Sequence, residues 1–106
     1  MTKIRFFKNN GNLCGFEAVG HSGAGVEGED IVCAAISSVT QYAAVMAEEV
    51  LGFENSVVMN EEGAYLSVKD KSGNHTWYDI VKGLEIYLTE LQKLYPDNLK
   101  VTYTEV

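Results

Sequence analysis

The chain has 106 residues, of which 46% are hydrophobic, so it can form one domain with a single modest core. Its formal net charge of −7 argues against a nucleic-acid-binding surface and is compatible with a basic protein partner. It has no leader with a basic and an apolar part and no apolar run that would span a bilayer, which predicts a cytoplasmic protein with no membrane partner. Its two cysteines are then expected to be reduced thiols.

The N-terminal part of the chain predicts a β-hairpin. Ile4 and Phe6 alternate with residues of the opposite face, which is typical of a strand, and residues 9–12 (Asn-Asn-Gly-Asn) have the chemistry of a tight turn. The segment 13–19 is then expected to return as the second strand. A polar and glycine-rich loop follows, from about residue 21 to residue 29.

The hydrophobic period changes after this loop and predicts an amphipathic helix. Asp30 is the expected N-cap of this helix, and Gly52 marks its expected end. The apolar residues that recur at intervals of three and four are Val32, Ala35, Ile36, Val39, Ala43, Met46, Ala47 and Val50.

The second half of the chain repeats the same pattern. Segments 56–60 and 64–69 predict a second hairpin, and 99–103 predict a last strand. Between them lies a second predicted helix, which Pro96 ends and whose apolar stripe is Trp77, Ile80, Val81, Leu84, Leu88 and Leu91. The order β-β-α-β-β-α-β predicts an α+β fold, in which two helices pack on a mostly antiparallel sheet within a single domain, residues 1–106.

One histidine and one cysteine stand out as candidates for chemistry. Cys33 lies near the start of the first predicted helix, where unpaired backbone N–H groups and the helix dipole favour a thiolate. His21 ends the preceding strand and could take the thiol proton. This pattern indicates a cysteine hydrolase. The alternatives are a small buried cysteine and a histidine that only hydrogen-bonds its loop.

The other polar candidates also have structural interpretations. Cys14 shares a strand face with Phe16 and is expected to be packed, and His75 is expected to lie at the start of the second helix. Ser37 is one turn after Cys33, so its hydroxyl would face the same way and contact either the site or the helix backbone. Asp30 either caps the helix or orients His21.

Several other activities are disfavoured by the residues around Cys33. No lysine follows the glycines as it would in a phosphate-binding loop, and no arginine follows the cysteine as it would in a tyrosine phosphatase. There is no Cys-x-x-Cys pair, which argues against thioredoxin chemistry and most zinc sites. No metal or cofactor is therefore predicted.

Along its whole length the chain resembles the bacterial ribosomal-processing cysteine protease family, Prp. The resemblance rests on the Gly20-His21 strand end, the glycine-rich loop and the motif Gly28-x-Asp30-Ile31-Val32-Cys33-Ala34-Ala35-x-Ser37. It implies that Cys33 is the nucleophile and His21 the base, with Gly20, Asp30 and Ser37 in support.

The resemblance also implies a substrate and an assembly. The family removes a short N-terminal extension from a large-subunit ribosomal protein, the twenty-seventh, and is described as homodimeric. The sequence also allows two non-enzymatic hypotheses: a binding module that regulates ribosome assembly, and a sensor in which Cys33 is oxidised. A binding module would require neither Cys33 nor His21, whereas a sensor would require mainly Cys33.

Overall fold

A computed structural model describes residues 1–20, 27–60, 62 and 64–106, and at 27–30 it describes the backbone alone. Two helices and five strands follow one another in the predicted order. They are β1 (Thr2–Asn9), β2 (Asn12–Val19), α1 (Glu27–Val45), β3 (Val57–Asn60), β4 (Tyr65–Lys69), α2 (His75–Leu94) and β5 (Leu99–Glu105). A π-helical turn, Met46–Val50, continues α1.

The five strands form one sheet in the order β3-β4-β2-β1-β5. Three of the neighbouring pairs are antiparallel, and β1 pairs with β5 in parallel. The predicted α+β class, with two helices on a mostly antiparallel sheet, is thereby confirmed. The first hairpin closes through Asn10 and Gly11, both with positive φ, as the predicted turn requires.

Both helices pack on the same face of the sheet and form one core with it. Trp77 is fully buried at the start of α2, and its indole N–H donates to the Cys14 carbonyl oxygen over 2.8 Å. The Asn74 side chain caps α2 by accepting from the Trp77 backbone N–H. The helix therefore begins where the sequence predicts and ends before Pro96. The other buried core residues include Ile4, Phe6, Phe16, Val32, Ile36, Val68, Val81, Leu88 and Leu99.

The start of α1 differs from the prediction. The helix begins at Glu27 rather than after an N-cap at Asp30, so Asp30 is its fourth residue and Cys33 its seventh. The extra turn contains Glu27, Glu29 and Asp30, and carboxylates at this end of a helix are favoured by the helix dipole. Gly52, with φ +70°, follows the end of the π-helical turn as predicted.

The expectation that the chain has no apolar run of membrane-spanning length is wrong. The segment Ile31–Val50 is long and apolar enough to cross a membrane by length and composition. In this fold its Val32, Ile36, Ala43 and Ala47 belong to the core, and 28% of the segment is buried. The segment is thus weak support for a membrane span.

Gly15 lies so close to the backbone of β4 that a side chain would not fit. A Cβ atom at this position would lie 2.2 Å from the Val68 carbonyl oxygen and 2.7 Å from the Lys69 Cα. We expect Gly15→Ala to lower the free energy of unfolding by about 3 kcal/mol because backbone atoms must move. Gly83→Ala is the matched control. Nothing lies within 4 Å of a Cβ there, and alanine in a helix gains about 0.5–1 kcal/mol over glycine. Thermal unfolding of both variants measures the difference, and equal midpoints would contradict the expectation.

Candidate active site

A pocket of about 150 Å³ lies between the N-terminal half of α1 and one end of the sheet. The sheet contributes the start of β1, the end of β2 and the β3–β4 hairpin. Its wall from α1 consists of Cys33, Ile36, Ser37, Thr40 and Gln41, and its wall from the rest of the chain consists of Thr2, Ala18, Gly20, Met59, Ala64, Tyr65 and Leu66.

The two cysteines lie in different environments. Cys33 is half-buried and opens onto the pocket, beside the buried helix stripe that includes Val32 and Ile36. Cys14 is fully buried in β2, as predicted, and burial raises the pKa of its thiol. Both lie in the described part of the chain, and neither forms a disulfide bond. The accessible thiol is therefore Cys33.

We expect iodoacetamide to alkylate Cys33 well before Cys14 in the native protein. The Sγ atom of Cys14 is shielded from solvent, and its raised pKa lowers the thiolate fraction that reacts. Peptide mapping by mass spectrometry gives the rate at each cysteine, and the denatured protein serves as control, since both thiols are then accessible. Equal native rates would contradict the assignment of Cys33 as the exposed thiol.

Gly20 places the end of β2 at the pocket. Its N–H donates to the Ala64 carbonyl oxygen over 2.9 Å, its φ is +84°, and a Cβ atom would lie 3.0 Å from the Met1 carbonyl oxygen. A glycine fits this backbone best. His21 is the next residue, and it lies outside the described residues, as does the glycine-rich loop through residue 26. Their predicted roles are not tested by the structure.

The two supporting polar residues on α1 differ in how far the structure places them. Ser37 lines the pocket one turn after Cys33 and is exposed. Within the described part of the chain no hydrogen-bond partner of its hydroxyl is found, so the alternative of a bond to the helix backbone receives no support. Asp30 lies in α1, and its side chain is outside the described residues. As the fourth residue of the helix, it does not take the N-cap position.

The length of α1 also changes how the thiol could be activated. As the seventh helical residue, Cys33 donates its backbone N–H within the helix and lies beyond the first turn, where the dipole acts most strongly. The expected stabilisation of a thiolate by unpaired N–H groups at Cys33 is therefore wrong. An adjacent base would have to supply the activation instead.

Sequence reasoning missed two pocket residues on α1. Gln41 is two turns after Cys33, on the same side of the helix, and is exposed. Thr40 is buried, and its hydroxyl donates to the Ile36 carbonyl oxygen over 2.7 Å. The four-residue spacing of Cys33, Ser37 and Gln41 was the signal that could have identified Gln41.

The other histidine and the metal-binding side chains lie elsewhere. His75 is the first residue of α2, is exposed and packs edge-on against Tyr78, as expected for a residue at a helix start. It does not line the pocket. Among the residues that the structure describes, no group of three or more His, Cys, Asp and Glu side chains could hold a metal ion.

Comparison with known proteins identifies the family. The sequence profile of the family described as cysteine protease Prp matches residues 1–100. The ribosomal processing cysteine protease Prp of Bacillus subtilis (strain 168) is 31% identical over 96 residues, which cover 85% of each chain. The chain belongs to the Prp family. It is therefore a cysteine protease of a family involved in ribosomal processing.

Solved structures confirm the Prp fold. A protein from Streptococcus mutans superposes with a TM-score of 0.85 at 22% identity, over 100% of this chain and 99% of the other. The essential ribosomal processing protease Prp from S. aureus superposes with a TM-score of 0.82 in complex with a substrate peptide, at 22% identity over 98% and 100% of the two chains. A second structure of that protein carries a covalently linked product peptide and superposes with a TM-score of 0.80, at 23% identity over the same shares.

Proposed function

We propose that this protease removes the N-terminal extension of the twenty-seventh large-subunit ribosomal protein, with Cys33 as nucleophile and His21 as general base. The observation that carries the proposal is that the one thiol open to a pocket lies opposite Gly20, the residue that precedes His21. The B. subtilis relative is named a ribosomal processing protease, and the S. aureus protein was crystallised with a substrate peptide.

The proposed reaction needs the His21 imidazole beside the Cys33 thiol. His21 takes the proton from the Cys33 Sγ, and the thiolate attacks the scissile carbonyl carbon to form a C–S bond. His21 then gives the proton to the leaving amine as the C–N bond breaks. Water hydrolyses the remaining thioester and regenerates the thiol. A covalent product peptide in the S. aureus protein is consistent with such a route.

One pocket side chain on α1 could donate to the oxyanion. The Ser37 hydroxyl lies one turn from Cys33 and is exposed at the pocket, whereas Gln41 lies about 12 Å farther along the helix than Cys33. Donors aimed at the developing charge stabilise the transition state in acyl transfer. Asp30, freed from the N-cap position by the earlier start of α1, would orient His21.

We further propose that the protein acts in the cytoplasm and forms a homodimer, and the surface of α1 supports the dimer. Ile31, Tyr42 and Val45 are 64%, 63% and 51% exposed, although each is apolar or aromatic. They recur at helical spacing, so their side chains form one stripe along α1. A second copy of the chain would cover this stripe.

The net charge of −7 would favour encounter with the basic body of a ribosomal protein.

Incubation with the full-length ribosomal precursor tests the substrate. We expect mass spectrometry to find one cut that releases the extension, and no cut in the mature protein that lacks it. The released extension should begin with the precursor's own N-terminus. A precursor that stays intact, or cleavage at many sites in both proteins, would contradict the proposed function.

A further inference from the structure

The face of the sheet opposite the helices is polar and carries most of its charge as cations. Register places its residues in three rows across the strands, two from β3 to β5 and one from β4 to β5. The rows, which together define the open face, are Asn60-Tyr65-Val19-Lys3-Lys100, Val58-Ser67-Glu17-Arg5-Thr102 and Lys69-Gly15-Phe7-Thr104. Four cationic side chains and one carboxylate give it a net charge of +3, whereas the whole chain carries −7.

Two lysines on this face are direct neighbours. Lys3 pairs with Lys100 across β1 and β5, and both are exposed. Like charges side by side on a sheet destabilise it. Among the described residues neither lysine forms an ion pair, whereas Arg5 pairs with Glu17 at 3.0 Å. An uncompensated pair of cations is favoured when a partner supplies the negative charge.

Cations also cover the aromatic residue of the open face. Phe7 is only 5% exposed, because the Arg5 guanidinium lies 5.3 Å and the Lys69 ammonium 5.0 Å from its ring centroid. Gly15 lies between them and, having no side chain, leaves room for this contact. The centre of the face thus presents charge over a buried ring, with hydroxyl groups beside it on Ser67 and Thr102.

Acidic residues concentrate on the opposite side of the molecule. The exposed carboxylates at the end of α1 and along α2 include Glu48, Glu49, Glu54, Asp79 and Glu90. The net charges of the two sides therefore differ in sign, and the chain has a cationic surface although its total charge is negative. A net charge of −7 thus does not exclude a nucleic-acid-binding surface, because the charge is unevenly distributed.

We propose that the open face binds the phosphate backbone of RNA. Phosphate contacts in nucleic-acid complexes come from Lys, Arg and the hydroxyls of Ser and Thr. The open face carries these groups: its lysines and Thr102 are exposed, and Arg5 and Ser67 are half-buried. A protein partner would instead need an apolar or aromatic anchor at the centre, where Phe7 is not accessible; the exposed Val58 lies on β3, at the edge of the face. Base stacking on Phe7 is excluded for the same reason, so recognition is of the backbone rather than of sequence.

Fluorescence anisotropy with a labelled RNA hairpin tests this surface. We expect binding at about 50 mM salt that weakens steeply as salt rises, because counterions are released from the phosphates. Lys3→Gln combined with Lys100→Gln should weaken binding roughly tenfold and reduce the salt slope by about one for each lysine. Both side chains are exposed, so thermal unfolding should stay near the wild-type midpoint.

The matched control removes the same charge from the helix side. Lys82 and Lys93 lie on α2 and pair with Glu85 and Glu90, so Lys82→Gln combined with Lys93→Gln should leave RNA binding unchanged. An equal loss in both double variants, or no binding by the wild type, would overturn the proposal. Equal binding of a polyglutamate peptide to the same lysines, or salt-dependent self-association in sedimentation, would assign the face to an acidic protein or to a second copy.

The proposed peptidase activity provides an independent readout. None of the lysines replaced in the two double variants lines the Cys33 pocket, so both variants should cleave a short precursor peptide at the wild-type rate. A failure of RNA binding would leave peptide cleavage intact, and a failure of cleavage would leave the RNA result standing.

Discussion

Replacing Cys33 with alanine is expected to abolish cleavage of the precursor peptide, with kcat falling by about four to six orders of magnitude to background. The substitution removes the atom that attacks the carbonyl carbon, yet leaves the pocket around it. The variant should therefore still bind the peptide and could be used to trap the complex. A continuous assay with a fluorogenic precursor peptide gives kcat, and isothermal titration gives the Kd of the variant.

Cys14→Ala is the matched control for this experiment. Cys14 is fully buried away from the pocket, so its loss should lower the thermal midpoint slightly and leave kcat close to wild type. If Cys33→Ala cleaves at the wild-type rate, Cys33 is not the nucleophile. If neither variant nor wild type cleaves but all bind the precursor, a binding module is the better description.

Replacing His21 with alanine is expected to lower kcat by about two to four orders of magnitude. The imidazole acts twice in the proposed route, first as the base that takes the thiol proton and then as the acid that protonates the leaving amine. Its importance grows because the helix start lies too far from Cys33 to stabilise a thiolate by itself. A thiol sensor would instead keep most of its reactivity toward peroxide without His21.

His75→Ala is the control that separates a catalytic histidine from histidine loss in general. His75 is exposed at the start of α2, so kcat should be unchanged. Equal losses in the two histidine variants would contradict the proposed base.

Asp30→Asn then tests the orienting carboxylate. A fall in kcat at an unchanged thermal midpoint supports contact with His21, and an unchanged kcat removes Asp30 from the site.

The elements of the fold could be predicted because each has a clear hydrophobic period. Alternation at Ile4 and Phe6 and the stripe from Trp77 to Leu91 identify a strand and a helix without further information. Strand partners could not be predicted in the same way. Nothing in the alternation of residues 99–105 shows that they pair with β1 in parallel, because the pairing depends on how α2 crosses the sheet.

The start of α1 shows a second limit of sequence reasoning. Asp30 is a good N-cap residue directly before an apolar run, and the predicted helix start was therefore placed there. The acidic residues before Asp30 were given less weight. Glu27 and Glu29 indicated an additional helical turn through the dipole, a weaker signal than capping. Which residues line a pocket with the thiol depends on tertiary packing, so Thr40 and Tyr65 had no individual signature, and only helical spacing pointed to Gln41.

The parallel pairing of β1 with β5 has a consequence for folding and solubility. β1 can pair with β2 as soon as the first hairpin closes, but its other edge stays open until β5 arrives, more than 90 residues later in the chain. Pairing over such a separation is slow to form, and an uncovered edge is a template for other strands. A chain that ends before Leu99 would therefore be lost to aggregation although every residue that lines the Cys33 pocket is present.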